Sequence, residues 1–139
     1  MTRYVVIFGG VCVFLLGLTS VGFPFDLSGL PLETKTDKGI AYVSGGIGLD
    51  ERETLSRVGQ NYDLRLSFAE KAGNYLSDVE VVIKDAEGKT ALEAISQGPW
   101  FFAKLPTGQY TILASMKGKT HQQMARVIAH GQTSLYFYW

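Results

Sequence analysis

Apolar and polar residues alternate with a period of two over the second half of the chain. Leu64, Leu66 and Phe68 open this region, and short alternating runs recur after them at spacings of about 8–12 residues, separated by turn residues. Alternation of this kind places the apolar side chains on one face of a strand and the polar ones on the other. We count seven such runs with no helical pattern between them, which predicts an all-β domain, a seven-strand antiparallel sandwich over residues 63–139.

One short helix is predicted in front of the sandwich, within residues 45–62. Its apolar stripe consists of Leu55, Val58 and Tyr62. This spacing is that of one helix face. Asp50 precedes the stripe and Glu53 follows three residues later, which is the pattern of a capping box. We therefore expect a helix over residues 51–60 that is capped by Asp50 and rests on the sandwich.

The first 22 residues differ from the rest of the chain. Arg3 precedes an uncharged apolar stretch over residues 5–18, and small residues follow it. A basic, an apolar and a small-residue region in this order are typical of a secretory signal peptide. Counted as far as residue 25, the stretch reaches the about 20 residues that span a bilayer, so an uncleaved membrane anchor is the alternative. Both interpretations predict an exported protein, periplasmic or anchored to the inner membrane.

The chain thus divides into four parts. Residues 1–22 form the signal peptide or anchor, which would be the only membrane contact if it stays uncleaved. Residues 23–44 show no period and contain prolines and glycines, so we expect a linker there. The helix at 45–62 and the sandwich at 63–139 complete the chain, which at 139 residues has room for one domain.

Composition and motifs argue against several classes of function. Thirteen basic residues balance thirteen acidic ones, so the basic excess that nucleic-acid binding needs is missing. The two histidines are nine residues apart, and the single cysteine, Cys12, lies in the apolar stretch. We therefore expect no metal site, no cofactor and no catalytic residue. A hydrolase with an unrecognised site remains an alternative, because a spatial pair of carboxylates leaves no signature in the sequence.

Consecutive aromatic residues are the feature with the most functional potential. Trp100, Phe101 and Phe102 follow one another, so alternation turns at least one of them away from the core in either register. With Tyr75 they form a candidate surface for an envelope protein or glycan. Two alternatives remain open: a strand that is buried on both faces, and a small outer-membrane β-barrel. The second is suggested by the aromatic end of the chain, although most predicted strands are shorter than the about 9–11 residues a barrel needs.

The end of the chain and one turn allow local predictions. Leu135, Phe137 and Trp139 share one face of the last predicted strand, and we expect that face to be buried and the strand to be paired along its length. Residues 106–108 predict a tight turn with Gly108 at positive φ. Tyr110 should then point inward with its hydroxyl group bonded.

Two motifs lie within residues 79–115, an Asp-x-x-Gly hairpin at residues 85–88 and a Leu-Pro-x-Gly-x-Tyr segment at residues 105–110. With these motifs, the segment resembles the carboxypeptidase regulatory-like domain. The resemblance extends over residues 64–139 and implies an immunoglobulin-like (prealbumin-like) sandwich. It also implies a non-catalytic module on an exported or cell-surface protein. The Gly-Pro-Trp sequence at residues 98–100 departs from the Asp-Gly-aromatic turn of that family.

Overall fold

A computed structural model describes residues 32–139 as two β-sheets that enclose one core, with a single short helix outside. The predicted signal peptide or anchor at 1–22 and the first part of the predicted linker lie outside the described residues. Within residues 32–139, no helix combines the length and the hydropathy needed to cross a membrane.

The strands follow the chain as β1 (Lys35–Asp37), β2 (Ile40–Gly45), β3 (Leu64–Ala69), β4 (Val79–Lys84), β5 (Thr90–Ser96), β6 (Trp100–Ala103), β7 (Gly108–Met116), β8 (Lys119–Val127) and β9 (Thr133–Tyr138). The helix α1 (Leu49–Val58) stands between β2 and β3 and ends in a 3₁₀ turn, Gly59–Asn61. One sheet has the order β1-β2-β6-β3-β9 and the other β5-β4-β7-β8. Neighbouring strands are antiparallel except β3 and β9, which run parallel.

The all-β, sandwich-like architecture is confirmed, but the described residues contain nine strands where we predicted seven. The two additional strands, β1 and β2, lie in the region predicted as a linker. They form a hairpin whose turn places Lys38 and Gly39 at φ 48° and 81°. Because β1 is only three residues long and charged residues surround the turn, the hairpin shows no period of two. The parallel pairing of β3 with β9 also departs from a purely antiparallel arrangement.

The core lies between the two sheets and is built by the predicted alternation. Leu64, Leu66 and Phe68 are fully buried, as is Phe137 on the neighbouring strand. The rings of Phe68 and Phe137 lie 5.8 Å apart between centroids. The predicted inward face of β9 is therefore correct at Phe137, whereas its flanking neighbours on that face are half-buried.

The helix starts differently from the prediction, although its apolar stripe is correct. It begins at Leu49 with Gly48 at the N-cap, and no side chain caps it, so the capping box at Asp50 and Glu53 is wrong. Glu51 takes over the backward reach, because its Oε1 accepts a hydrogen bond from the Gly46 N–H at 2.8 Å. The helix thus begins two residues before the predicted start, and Glu51 in place of Glu53 accepts a hydrogen bond from the backbone that precedes the helix.

Of the two predictions for the turn before β7, the structure confirms one. The Tyr110 hydroxyl donates to the Pro106 carbonyl oxygen at 2.6 Å, and the ring is buried, which confirms the inward orientation. Gly108 does not have the predicted positive φ. It pairs with Val127 as the first residue of β7, so the sheet extends into the segment that we predicted as a turn.

Candidate functional site

The central strand of the five-stranded sheet carries three of the four predicted site residues. β6 lies between β2 and β3. Phe101 points into the core between the sheets, and Phe102 points to the opposite, outer face of the sheet. Both are buried, at 0% and 2% exposure, so the prediction that they form a surface is wrong for these two residues.

Phe102 is buried because the helix lies over it. Its neighbours on the outer face form a second, small core of Val43, Leu55 and Tyr62. Gly59, at the end of α1, approaches the Phe102 ring so closely that a Cβ atom there would overlap with the ring. The Gln132 side chain fixes this end of the helix by donating to the carbonyl oxygens of Gly59 and Tyr62, at 2.7 and 3.0 Å. We call this part of the outer face the covered half.

Trp100 and Tyr75, the other two predicted residues, line a groove beyond the edge of the helix. This aromatic groove has a volume of about 240 Å³. The residues that line it include Arg65, Ser67, Tyr75, Trp100, Tyr136 and Tyr138. The structure therefore brings two of the four predicted residues together and adds residues from strands that we did not assign to a site.

The pairing of three strands builds the floor and one wall of the groove. Ser67 of β3 lies between Trp100 of β6 and Tyr136 of β9 in the register of the sheet. Tyr138 lies opposite Ala69 in the same register. Because side chains on one face recur every second residue, these residues all project from the outer face. We call this part of the outer face the open half.

Tyr75 reaches the groove from the loop between β3 and β4. A single bridge joins its backbone to Ala69. The Arg52 guanidinium carbon lies 4.5 Å from the centre of the Tyr75 ring, within the range of a cation–π contact. Tyr75 is nevertheless 56% exposed, so its ring stays accessible at the rim.

The loop that leads into α1 packs against Trp100. Gly46 has φ 100°, and a Cβ atom built there would lie 3.5 Å from the indole ring. Two hydrogen bonds hold this glycine, one to Glu51 and one from Arg52 Nε to the Gly46 carbonyl oxygen at 2.7 Å. Trp100 is therefore supported from the helix side and is only half-buried on the groove side.

Arg65 is the cation of the groove. Its guanidinium carbon lies 4.6 Å from the centre of the Trp100 ring and 5.7 Å from that of Phe102. Within residues 32–139 the one ion pair joins Lys38 to Asp37, so no described carboxylate neutralises Arg65. Its Nε is enclosed and has no hydrogen-bond acceptor in the described part of the chain. The cation–π contact with the indole stabilises this charge in place.

Arg65, Tyr136 and Tyr138 were not predicted as site residues. The alternation did assign the two tyrosines to the face opposite Phe137, and Arg65 to the face opposite Leu64 and Leu66. What the sequence lacks is the information that β3 and β9 are neighbours, which places the three side chains on one surface.

Another cavity, of about 500 Å³, lies at one end of the sandwich beside Lys38, Lys89 and Tyr110. It is larger than the aromatic groove, yet its one aromatic hydroxyl already donates to Pro106. Burial, followed by the negative charges of Asp85 and Asp63, raises the pKa of Tyr110. The groove concentrates more exposed rings, and we regard it as the better candidate site.

Comparison with known proteins does not place the chain in a family. No protein-family model and no curated protein matches the sequence. Within residues 32–139 no three histidine, cysteine, aspartate or glutamate side chains gather in a way that could hold a metal ion.

Proposed function

We propose that this chain is a non-enzymatic accessory module of the bacterial envelope that binds an envelope protein or glycan through the aromatic groove. The observation that carries the proposal is the groove itself. The groove presents Tyr75, Tyr136 and Tyr138 at 56%, 53% and 51% exposure, next to Trp100. Clustered exposed aromatic residues mark interaction surfaces more often than single ones do.

The chemistry of these side chains suits recognition. Tyrosine and tryptophan provide large apolar contact areas with few rotatable bonds, and each retains a polar group for hydrogen bonding. In the described part of the chain, the hydroxyl groups of Tyr75, Tyr136 and Tyr138 make no hydrogen bond, in contrast to that of Tyr110. Their donors and acceptors are therefore available to a ligand.

The proposal includes export and a family. Arg3 and the apolar stretch at 5–18 support a signal peptide or anchor. Mass spectrometry of the protein isolated from its native envelope should find an N-terminus within residues 19–27, and an intact Met1 would favour the anchor.

We also propose a transthyretin-like sandwich of the carboxypeptidase regulatory-like kind over β3 to β9. Labelled A to G, these strands divide as D-A-G and C-B-E-F, which differs from the A-B-E-D and C-F-G sheets of a constant immunoglobulin domain. The hydrogen bond from the Tyr110 hydroxyl back to Pro106 supports a sandwich in which a tyrosine secures a corner between the sheets.

Binding of separated envelope fractions tests the function. Polysaccharide and protein fractions of the native envelope are each titrated against the full chain and against a variant that carries Tyr136→Ala and Tyr138→Ala. Met124→Ala is the matched control, since Met124 is 70% exposed on β8 of the other sheet. We expect the groove variant to lose about tenfold or more in affinity, because aromatic residues dominate binding energies.

Two results would contradict the proposal. One is binding that Met124→Ala weakens as much as the groove variant does, and the other is the absence of binding to every fraction. Release of reducing ends or of peptides from a bound fraction during incubation would contradict the non-enzymatic part and favour a hydrolase.

A further inference from the structure

We propose that the ligand of the aromatic groove is a saccharide that carries a carboxylate, and that Arg65 pairs with that carboxylate. This inference rests on the proposed function and specifies its ligand. It begins from the position of Arg65, a half-buried cation that lines the groove without a described carboxylate near it.

The guanidinium of Arg65 has donors without a partner among residues 32–139, and a ligand could use them. The side chain makes no hydrogen bond within the described residues. Its Nε is enclosed and has no acceptor there, so a ligand in the groove would bond to the two terminal Nη groups. The planar guanidinium offers donors in a rigid fork that matches a carboxylate in a bidentate arrangement. Because the guanidinium already lies over the rings of Trp100 and Phe102, little side-chain freedom is lost when the carboxylate binds.

The walls of the groove favour a sugar ring as the carrier of that carboxylate. The faces of aromatic rings are electron-rich and attract the C–H bonds on one face of a pyranose. Hydroxyl groups around the sugar need partners at the same time. Ser67 and the three exposed tyrosines supply hydroxyl groups that have no partner in the described part of the chain. Rings for stacking, hydroxyl groups for a polyol and one cation for an acid group thus meet in a single groove.

The edges of the sheets disfavour a peptide that would bind as an additional strand. Such a peptide needs free backbone groups along a sheet edge. Side chains occupy several of these groups. The bonds run from Glu93 N to Asp37 Oδ2 (2.9 Å), from Gln123 Nε2 to Tyr136 O (2.6 Å) and from Thr133 Oγ1 to Arg126 O (2.7 Å). A ligand that lies on the face of the sheet avoids this competition.

The charges of the groove disfavour a nucleic acid, which would also stack on aromatic rings. Single-stranded nucleic acids need a track of cations along the backbone in addition to stacking platforms. Here the cations are Arg65 and Arg52, and the Nε of Arg52 already donates to Gly46. Two guanidinium groups, one of them engaged through its Nε, do not form such a track.

Two sugars that differ in charge test the inference directly. The full chain is titrated with tri-galacturonate and with its fully methyl-esterified form, to about 10 mM so that weak binding is measured. We expect the acid to bind at least about tenfold more tightly than the ester, since a charge-assisted hydrogen bond contributes more than a neutral one. Arg65→Gln should bring this ratio to about one, and added salt should reduce it in the wild type.

Controls separate binding from folding. Tyr136→Ala should weaken the binding of both sugars, and Met124→Ala should change neither. A thermal melt of Arg65→Gln shows whether the variant is folded. Arg65→Lys, which keeps the charge and loses the fork, should retain part of the preference for the acid. The salt dependence of the wild-type ratio needs no variant.

The outcomes distinguish the inference from the function on which it rests. Equal binding of acid and ester, weakened for both by Tyr136→Ala, would overturn the pairing with Arg65 and leave the groove as a binding site. Binding of tri-glutamate in place of the sugars would overturn the saccharide in favour of an acidic peptide. Binding of neither sugar would overturn the inference, and the envelope fractions then decide whether the proposed function fails as well.

Discussion

On the outer face of the five-stranded sheet, Phe102 belongs to a buried core, whereas Trp100, two residues away on the same strand, lines an open groove. Over the covered half, α1 places Leu55 against Phe102, which is 2% exposed. Over the open half, the rings of Tyr136 and Tyr138 remain about half-exposed, at 53% and 51%. Both halves lie on the same face of one pleated sheet, and both present aromatic rings. Whether an outward-facing ring becomes core or surface therefore depends on whether α1 lies over it.

The largest expected effect comes from removing the strand that forms one wall of the open half. Deletion of residues 135–139 removes the buried Phe137 and the pairing of β9 with β3. Loss of one buried aromatic side chain costs about 3–5 kcal/mol, against a total stability of about 5–15 kcal/mol. We expect the deletion variant to show no cooperative melt by circular dichroism. A melt near that of the wild type would mean that β9 is dispensable to the core.

Point substitutions in the two halves compare them directly. Phe102→Ala should destabilise the protein by about 3–5 kcal/mol because it empties the small core under the helix. Tyr138→Ala removes an equally large ring from the open half and should change stability by no more than about 0.5 kcal/mol. Urea denaturation of both variants measures the difference. Similar losses in the two variants would show that the groove is part of the core.

The contact between Gly59 and Phe102 sharpens the comparison at the boundary of the covered half. An alanine at Gly59 would overlap with the Phe102 ring, and overpacking of this kind costs about 1–3 kcal/mol. The backbone of Gly59 is helical, with φ −61°, so no backbone strain contributes. Gly48→Ala is the matched control, since a Cβ there meets nothing within 4 Å, and it should cost only a few tenths of a kcal/mol, about what separates glycine from alanine at an N-cap. Equal melting temperatures for the two variants would contradict close packing at Gly59.

The sequence predicts the strands better than it predicts the groove. The period of two identified β3, β4, β7 and β9 and the inward face of Phe137, and turn residues delimited the other strands after β3. It missed β1 and β2, since a three-residue strand and a charged turn leave no period. The alternation also could not show which face of β6 is buried, because both faces are. The second sheet buries Phe101, and the helix buries Phe102.

The groove was predictable only in part for a related physical reason. Trp100 and Tyr75 stand out as aromatic residues near turns, and both line the groove. The alternation predicts Arg65 only as a solvent-facing residue of β3. Its significance arises from the neighbours that strand order gives it, namely Trp100 on β6 and the tyrosines of β9. Contacts between distant segments are not encoded in a local pattern.

The smallest expected effect on stability concerns a single hydroxyl group and contrasts a tyrosine of the core with one of the groove. Tyr110→Phe removes the hydrogen bond to Pro106 and should cost about 0.5–1.5 kcal/mol, whereas Tyr138→Phe should leave stability unchanged. Because burial raises the pKa of Tyr110 above its ordinary value of 10.0, the folded state favours the neutral hydroxyl. This contribution is fully present below pH 10.0 and is lost as the pH rises through the raised folded-state value. Urea denaturation on both sides of that pH measures it, and a cost for Tyr110→Phe that does not change with pH would count against it.

Stability and binding measured on one sample of the Tyr136→Ala, Tyr138→Ala variant test most directly whether the open half is a binding surface. We expect a melting temperature close to that of the wild type, because both rings are about half-exposed, together with a loss of about tenfold or more in affinity for the envelope fraction that the wild type binds. Unchanged affinity at an unchanged melting temperature would contradict the assignment of the groove as the binding site.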